Sequence, residues 1–168
     1  MAVMIIGMVF VGVLMSMSVS TEANIVASDL TIAITLAQQI REMSMAVPYE
    51  DPKTPGNTPG PDGSSPNTFI DDMDDLYGHT YSPPRSAMPV DQDNSNRLGD
   101  ELSEYTGWSQ KIAITYRNPD DLTEITYPRA SNAYVTDLAM VQCAIYKGTE
   151  LIYVTEWLIV RPQGGWGP

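Results

Sequence analysis

The chain has 168 residues, of which 21 are Asp or Glu and 9 are Lys or Arg, so its formal net charge is −12. This length fits one domain with a sizeable hydrophobic core. Nucleic acid and anionic membrane surfaces carry the same sign of charge, which argues against both as main partners. One Cys and one His cannot supply an intrachain disulfide, a Cys-rich zinc site or a cluster of His ligands.

The first 21 residues, MAVMIIGMVFVGVLMSMSVST, contain no charged side chain and are mostly aliphatic. At about 1.5 Å per helical residue they cover the ~30 Å hydrocarbon core of a bilayer, which predicts a transmembrane helix to about residue 21. A cleaved signal peptide would need a basic start and a clear small-residue cleavage site, and only a weak pattern of alternating serines is present. A buried helix of a soluble domain rarely runs this far without a charge.

The helical pattern continues beyond this apolar run, because residues 22–46 contain no Gly or Pro. Apolar residues recur every three or four positions, as in a helix with one buried face. They form two adjacent rows, Ile25, Ile32, Leu36, Ile40 and Met43 in one and Val26, Leu30, Ala33 and Ala37 in the other. We therefore expect residues 1–46 to form one N-terminal helix, with an amphipathic second half that lies on a folded domain and an end set by Pro48.

Residues 47–107 read as a Pro/Gly-rich acidic loop region. Nine of the 13 prolines lie between Pro48 and Pro89, and turn dipeptides crowd the segment. Residues 49–109 carry 12 acidic and 3 basic side chains, so most of the negative charge belongs to this region. We expect an exposed loop.

The densest acidic cluster in this loop contains Asp71, Asp72, Asp74 and Asp75. A Ca²⁺ ion prefers several oxygen ligands, and this cluster offers them, but its spacing does not match a Ca²⁺-binding EF-hand loop. Blocks of like charge usually remain hydrated. A hydrated loop is therefore favoured, and Ca²⁺ binding is kept as the alternative without assigned ligands; no other cofactor or metal is predicted.

Residues 108–168 predict an antiparallel sheet of three or four strands. In KIAITYR, apolar and polar residues alternate as in a half-buried strand. A second run over 133–146 places one set of residues on a single face, with Asp137 as the exception: Val135, Ala139, Val141, Cys143 and Ile145. A third run, 150–160, is rich in β-branched residues, and Lys147-Gly148 predicts a two-residue hairpin loop before it. The fold class is α+β, with residues 22–168 in one globular domain.

Catalysis is not predicted. The only His is His79 and the only Cys is Cys143, and neither lies in a recognisable nucleophile motif. Most carboxylates lie in loop sequence, whereas a catalytic carboxylate pair needs rigid support. We expect no catalytic residues and no enzyme activity.

The order of a long helix, a variable loop and a late antiparallel sheet resembles the type IV pilin family. The likeness is most specific in the helix, where it is similar to minor pilins and minor pseudopilins of type II secretion systems. The residues that support this resemblance are Gly7 in the apolar run, Leu36-Ala37-Gln38, the charged pair Arg41-Glu42, and Pro48-Tyr49 directly after the helix. They cover about a third of the chain, and the remainder agrees by architecture alone.

The family is made with a short basic leader, a Gly before the cleavage point and a Glu a few residues into the mature helix. The chain begins inside the apolar run, and Glu22 lies too far along to be that Glu. The resemblance therefore predicts that the leader and first helical turns are missing from its N-terminus.

The resemblance implies a non-catalytic subunit held by its helix in the bacterial inner membrane, with the C-terminal domain extracytoplasmic. Its implied partners are other pilin or pseudopilin subunits and the inner-membrane assembly platform, in a type IV pilus or type II secretion pseudopilus. Close helix packing in lipid uses small residues, and Gly12, Ser16 and Ser20 recur every four residues. They are helix-packing candidates, although small residues are common in membrane helices in any case. The alternative is a membrane-anchored extracytoplasmic binding module that holds Ca²⁺.

Overall fold

The computed structural model describes residues 2–49, 70–87, 98–125 and 136–161, with the backbone alone for residues 2–9 and Val11. Its first element is one helix, α1, over Ala2–Ala46, which at 45 residues is about 68 Å long. The amide of Val47 donates to the carbonyl of Met43, and Pro48 has no amide to continue the ladder. The helix thus ends where Pro48 predicts.

The remaining described elements form one antiparallel sheet. Its strands are β1 (Thr80–Tyr81), β2 (Trp108–Arg117), β3 (Glu124–Ile125), β4 (Leu138–Lys147) and β5 (Glu150–Val160). The spatial order is β1-β2-β4-β5, and β3 also pairs with β2. Three long strands carry the sheet, as predicted, and two short ones bring the total to five. The α+β class, with a long N-terminal helix packed on an antiparallel sheet, is therefore observed.

The alternation of side chains in β2 and β4 explains which face of the sheet is buried. In β4 the predicted core residues Ala139, Val141, Cys143 and Ile145 are all fully buried. Asp137, the exception in the sequence pattern, lies just before β4 and pairs with Arg161. Val135 lies outside the described residues. A strand has a two-residue period, so core side chains lie on one face and the alternate residues lie on the other.

The hairpin between β4 and β5 differs from the prediction by one residue. Lys147 completes β4 and pairs with Glu150, so the two loop residues are Gly148 and Thr149. Gly148 adopts a φ of 60°, which a Gly accepts without strain. The loop begins one residue later than predicted because Lys147 still pairs with Glu150 in the strand ladder.

The second half of α1 packs on the buried face of the sheet. Its buried apolar residues are Ala33, Leu36, Ala37, Ile40 and Met43. Burial of each large aliphatic side chain stabilises the fold by about 2 kcal/mol. The apolar rows predict this face, except that Val26 (67%) and Leu30 (41%) of the second row are exposed. Ile25, in the same row, stays 54% exposed because it precedes the docked part of the helix.

Two buried polar side chains join the helix to the sheet. The side-chain amide of Gln110 in β2 donates to the carbonyls of Leu36 (2.9 Å) and Arg85 (3.1 Å), and its Oε1 accepts from the amide of Arg85 (2.7 Å). The indole Nε1 of Trp157 in β5 donates to Oγ of Ser44 at 3.1 Å. These bonds fix the register of helix against strand, because each polar group is buried and requires its partner.

The region predicted as an exposed loop is partly core. Ile70, Met73, Leu76 and Tyr81 are almost fully buried, and the amide of Met73 donates to the carbonyl of Pro48 at 2.9 Å. Residues 74–76 form a single 3₁₀ turn that packs near β2. The prediction of an exposed loop is therefore wrong for this segment, because apolar side chains spaced three apart fold one side of it onto the sheet.

Candidate functional site

The first half of α1 projects from the globular part of the molecule. Every described side chain from Phe10 to Ser28 is exposed, including Phe10 (64%), Met15 (69%) and Val19 (67%). The exposed large hydrophobic side chains of this segment are Phe10, Val13, Leu14, Met15, Met17, Val19, Ile25 and Val26. We call residues 10–28 the projecting segment. A water-exposed helix normally carries polar side chains around its surface, so this segment is unusually apolar for an exposed helix.

An ion pair marks the base of the projecting segment. Nζ of Lys147, at the end of β4, lies 2.9 and 2.7 Å from the two carboxylate oxygens of Asp29. The same ammonium lies 5.5 Å from the ring centroid of Trp108. Asp29 is the first described helix residue after the projecting segment that is not exposed. The docked half of the helix therefore begins at this contact.

The three helix-packing candidates all lie in the projecting segment. Gly12, Ser16 and Ser20 are exposed, and a Cβ placed on Gly12 would meet no atom within 4 Å. The space beside Gly12 is therefore open to a neighbouring helix. A four-residue step drifts about 40° per repeat, so the three residues form a slowly winding strip.

The second candidate is the aspartate cluster. The sequence predicts a hydrated cluster, but Asp71, Asp72, Asp74 and Asp75 are only 1–5% exposed. Oδ1 of Asp72 accepts hydrogen bonds from the amides of Asp74 (3.0 Å) and Asp75 (3.2 Å). Oδ2 of Asp75 accepts from the amide of Asp71 at 3.1 Å. The carboxylates of Asp72 and Asp75 therefore accept hydrogen bonds from the backbone of their own turn inside the protein.

Charge crowding follows from this burial. One carboxylate oxygen from each of Asp71, Asp72 and Asp75 can be chosen so that all lie within 4.8 Å of one another. Burial, reinforced by the hydrogen bond and negative charge of Asp74, raises the pKa of Asp72 to about 9. At neutral pH the cluster therefore retains a proton, or a cation takes its place. Carboxylate oxygens are the ligands that Ca²⁺ prefers, so the donor set fits a hard divalent ion.

The two residues considered for catalysis are Cys143 in β4 and His79, whose amide donates to the carbonyl of Leu76 in the 3₁₀ turn. Burial raises the pKa of the Cys143 thiol to about 12, so it carries no thiolate at neutral pH. The ring of His79 lies 4.5 Å from that of Tyr81, and burial and Arg85 lower its pKa. Cys143 has the surroundings of a core residue.

Several residues that organise these sites were missed by sequence reasoning. Burial of the aspartates could have been found from the spacing of Ile70, Met73 and Leu76, which interleave with them. The pairing of Asp29 with Lys147 across the fold has no local signal, because the residues are 118 positions apart.

Comparison with known proteins identifies no relative of this chain. No family model matches the chain, and no curated protein or solved structure is significantly similar to it. Within the described ranges, none of the helical segments combines the length and apolarity needed to cross a bilayer.

Proposed function

We propose that the protein is a non-catalytic structural subunit of the type IV pilin class, a minor pilin or minor pseudopilin that assembles through its N-terminal helix. The observation that carries this proposal is the projecting segment, an exposed helix rich in large apolar side chains. The amphipathic half of α1 docked on an antiparallel sheet supports the same class by its architecture.

Burial energetics supports an apolar environment for this segment. Each large side chain removed from water gains about 25 cal/mol per Å² of apolar surface, so eight such side chains favour burial by many kcal/mol. Lipid and neighbouring helices can both supply that burial. The uncharged run of residues 1–21 extends the apolar surface in sequence to the first residue of the chain.

In the proposed cycle, the helix holds the subunit in the bacterial inner membrane, single-pass, with the sheet domain extracytoplasmic. The assembly platform then moves it into a type IV pilus or a type II secretion pseudopilus, where its helix packs among those of other pilin or pseudopilin subunits. On assembly, neighbouring helices replace lipid around the projecting segment. The same apolar surface is therefore covered both in the membrane and in the filament. The net charge of −12 speaks against nucleic acid as a partner.

Two changes in the projecting segment test assembly apart from insertion. Gly12→Leu and Ser16→Leu keep the segment apolar, so we expect membrane fractionation to persist while assembly with pilin-like subunits is lost. Val13→Leu, a small change at a 51% exposed position, is the matched control and should assemble normally. The readouts are co-purification with pilin-like subunits and filament formation or secretion in cells. Normal assembly of both Leu variants would exclude the packing face.

A second candidate function is a membrane-anchored extracytoplasmic binding module that holds Ca²⁺. The buried, closely spaced carboxylates of Asp71, Asp72 and Asp75 favour it over the hydrated cluster that the sequence suggests. Millimolar Ca²⁺ should then raise the melting temperature by several degrees, since a ligand that binds only the folded state stabilises it. Asp71→Asn should abolish that rise. An unchanged melting temperature of the wild type in Ca²⁺ would remove this candidate.

A further inference from the structure

The ion pair between Asp29 and Lys147 lies where the projecting segment leaves the globular part. Among the described residues, it is the polar contact between α1 and the sheet that lies nearest to this segment. Every described side chain from Phe10 to Ser28 is exposed, whereas the side chain of Asp29 is only 20% exposed. The ion pair is therefore the last polar attachment of the described helix before it projects.

Both partners of this ion pair belong to regular elements. Lys147 is the last residue of β4, and its backbone pairs with Trp108 of β2 on one side and Glu150 of β5 on the other. Its ammonium lies 5.5 Å from the ring centroid of Trp108. Asp29 lies within the continuous helix α1, and both of its carboxylate oxygens accept from the ammonium. The ion pair thus joins a strand end directly to a helix.

The ion pair contributes little to folding stability. The side chains of Lys147 and Asp29 are 45% and 20% exposed. Water solvates such charges in the unfolded chain and partly in the folded one, so their attraction adds little net free energy. Burial of Leu36, Ile40 and Met43 holds the helix on the sheet. The effect of the ion pair is therefore mainly on the direction of the helix.

We propose that Lys147 is a positioning residue, which aligns the projecting segment for assembly by holding Asp29 against the end of β4. The step from alignment to assembly rests on the proposed function. The direction of the projecting segment is a property of the single chain, so it can be measured whether or not the protein assembles with other subunits.

The position of Asp29 along the helix determines how much its attachment matters. At the other end of the docked half, Ser44 accepts a hydrogen bond from Trp157. Asp29 lies about 22 Å from Ser44 along the helix and Ser16 about 42 Å, so a shift of about 1 Å at Asp29 moves Ser16 by about 1.9 Å. Without the ion pair, the next residue packed on the core is Ile32. Ile32 lies about 18 Å from Ser44, and the same shift there moves Ser16 by about 2.3 Å.

Assembly is sensitive to the direction of the helix in a way that membrane insertion is not. Helices that associate in lipid depend on close backbone approach, so an error in direction disturbs their packing. Insertion depends on the apolar composition of the segment, which a change at Lys147 leaves intact. Loss of the ion pair should therefore reduce assembly several-fold and leave membrane fractionation unchanged.

The test measures the direction of the projecting segment in the full chain in detergent micelles. Spin labels on Ser16→Cys and Tyr77→Cys report the distance between the segment and the globular part by pulsed electron paramagnetic resonance, and the buried Cys143 should stay unlabelled. Lys147→Met should broaden the distance distribution by about a quarter or more, from the ratio of the two displacements. Salt at 1 M, where the Debye length is about 3 Å, should broaden it in the chain with Lys147 and leave Lys147→Met unchanged.

Two variants serve as controls for the change at Lys147. Lys147→Arg keeps a cation in reach of Asp29, so it should retain the narrow distribution and normal assembly. Lys111→Met removes another exposed Lys, on the side of β2 opposite Gln110, which bonds the helix. It should change neither the distribution nor assembly.

An unchanged distribution in Lys147→Met, or equal broadening in Lys111→Met, would overturn the proposal. Normal assembly of Lys147→Met despite a broadened distribution would also overturn it, and would leave the proposed function intact. A broadened distribution with several-fold weaker assembly, both restored in Lys147→Arg, supports it. If the chain with Lys147 itself fails to assemble with pilin-like subunits, the proposed function fails, and with it the alignment for assembly.

Discussion

Replacement of Gln110 by Leu tests how the helix is joined to the sheet. Gln110 is fully buried in β2 and bonds both the helix carbonyl of Leu36 and the backbone of Arg85. Leu has a similar size but no polar group, so the change removes these bonds and adds little strain. The buried backbone groups lose partners that the unfolded chain would replace with water.

The magnitude follows from the three hydrogen bonds that Gln110 makes. A typical intramolecular hydrogen bond contributes about 1 kcal/mol net, so their loss costs about 3 kcal/mol. The added apolar burial of Leu offsets about 1 kcal/mol of this. We therefore expect the free energy of unfolding to fall by about 2 kcal/mol, a large part of the stability of a small domain.

Urea unfolding of the full chain in mild detergent, followed by tryptophan fluorescence, measures this change. Ser109→Ala is the matched control, since Ser109 is the neighbouring residue of β2 and its side chain lies on the opposite side of the strand from Gln110. It should change the free energy of unfolding by less than about 0.5 kcal/mol. If Gln110→Leu were as mild as Ser109→Ala, the bonds of Gln110 would not be what joins helix and sheet.

Three further predictions concern buried or paired polar groups. Asp72 has a pKa of about 9 in the folded chain against an ordinary 3.8, so its stabilising contribution is complete below pH 4 and is lost as pH rises through 9. Asp72→Asn should therefore flatten the fall in melting temperature between pH 5 and 9 in chelator, and parallel profiles would contradict this. Ser44→Ala and Trp157→Phe should show a coupling energy of about 1 kcal/mol in a double-mutant cycle, whereas additive effects would exclude their bond. Lys147→Met should cost less than about 1 kcal/mol and speed amide exchange around Asp29, and unchanged exchange would refute that contact.

The helix and the long strands could be predicted because their signals are local. Hydrophobic spacing in the second half of α1 identified Leu36, Ile40 and Met43 as its buried face, and alternation identified the core face of β4. Both patterns reflect the geometry of a single element, and tertiary packing only adds the partner. The short strands β1 and β3 have two residues each, too few for any period to be read.

Other features depend on contacts between distant segments. The acidic residues around Asp72 suggested a hydrated loop. The carboxylates are buried because Ile70 and Leu76 pack on the sheet, which the local sequence does not show. Gln110 occupies a core position in β2 where alternation predicts an apolar side chain. Its partners, Leu36 and Arg85, lie 74 and 25 residues away, so sequence spacing alone gives no sign of the bond.

Site-specific cross-linking in cells detects whether the projecting segment packs among the helices of other pilin-like subunits. Ser16→Cys places a thiol in the projecting segment, and Tyr77→Cys places one on the globular part, where Tyr77 is 54% exposed. Cys143 is buried and should not react. We expect Ser16→Cys to form covalent adducts with pilin-like subunits during assembly and Tyr77→Cys to form far fewer. Absence of such adducts from Ser16→Cys in cells with a working assembly system would exclude this helix packing.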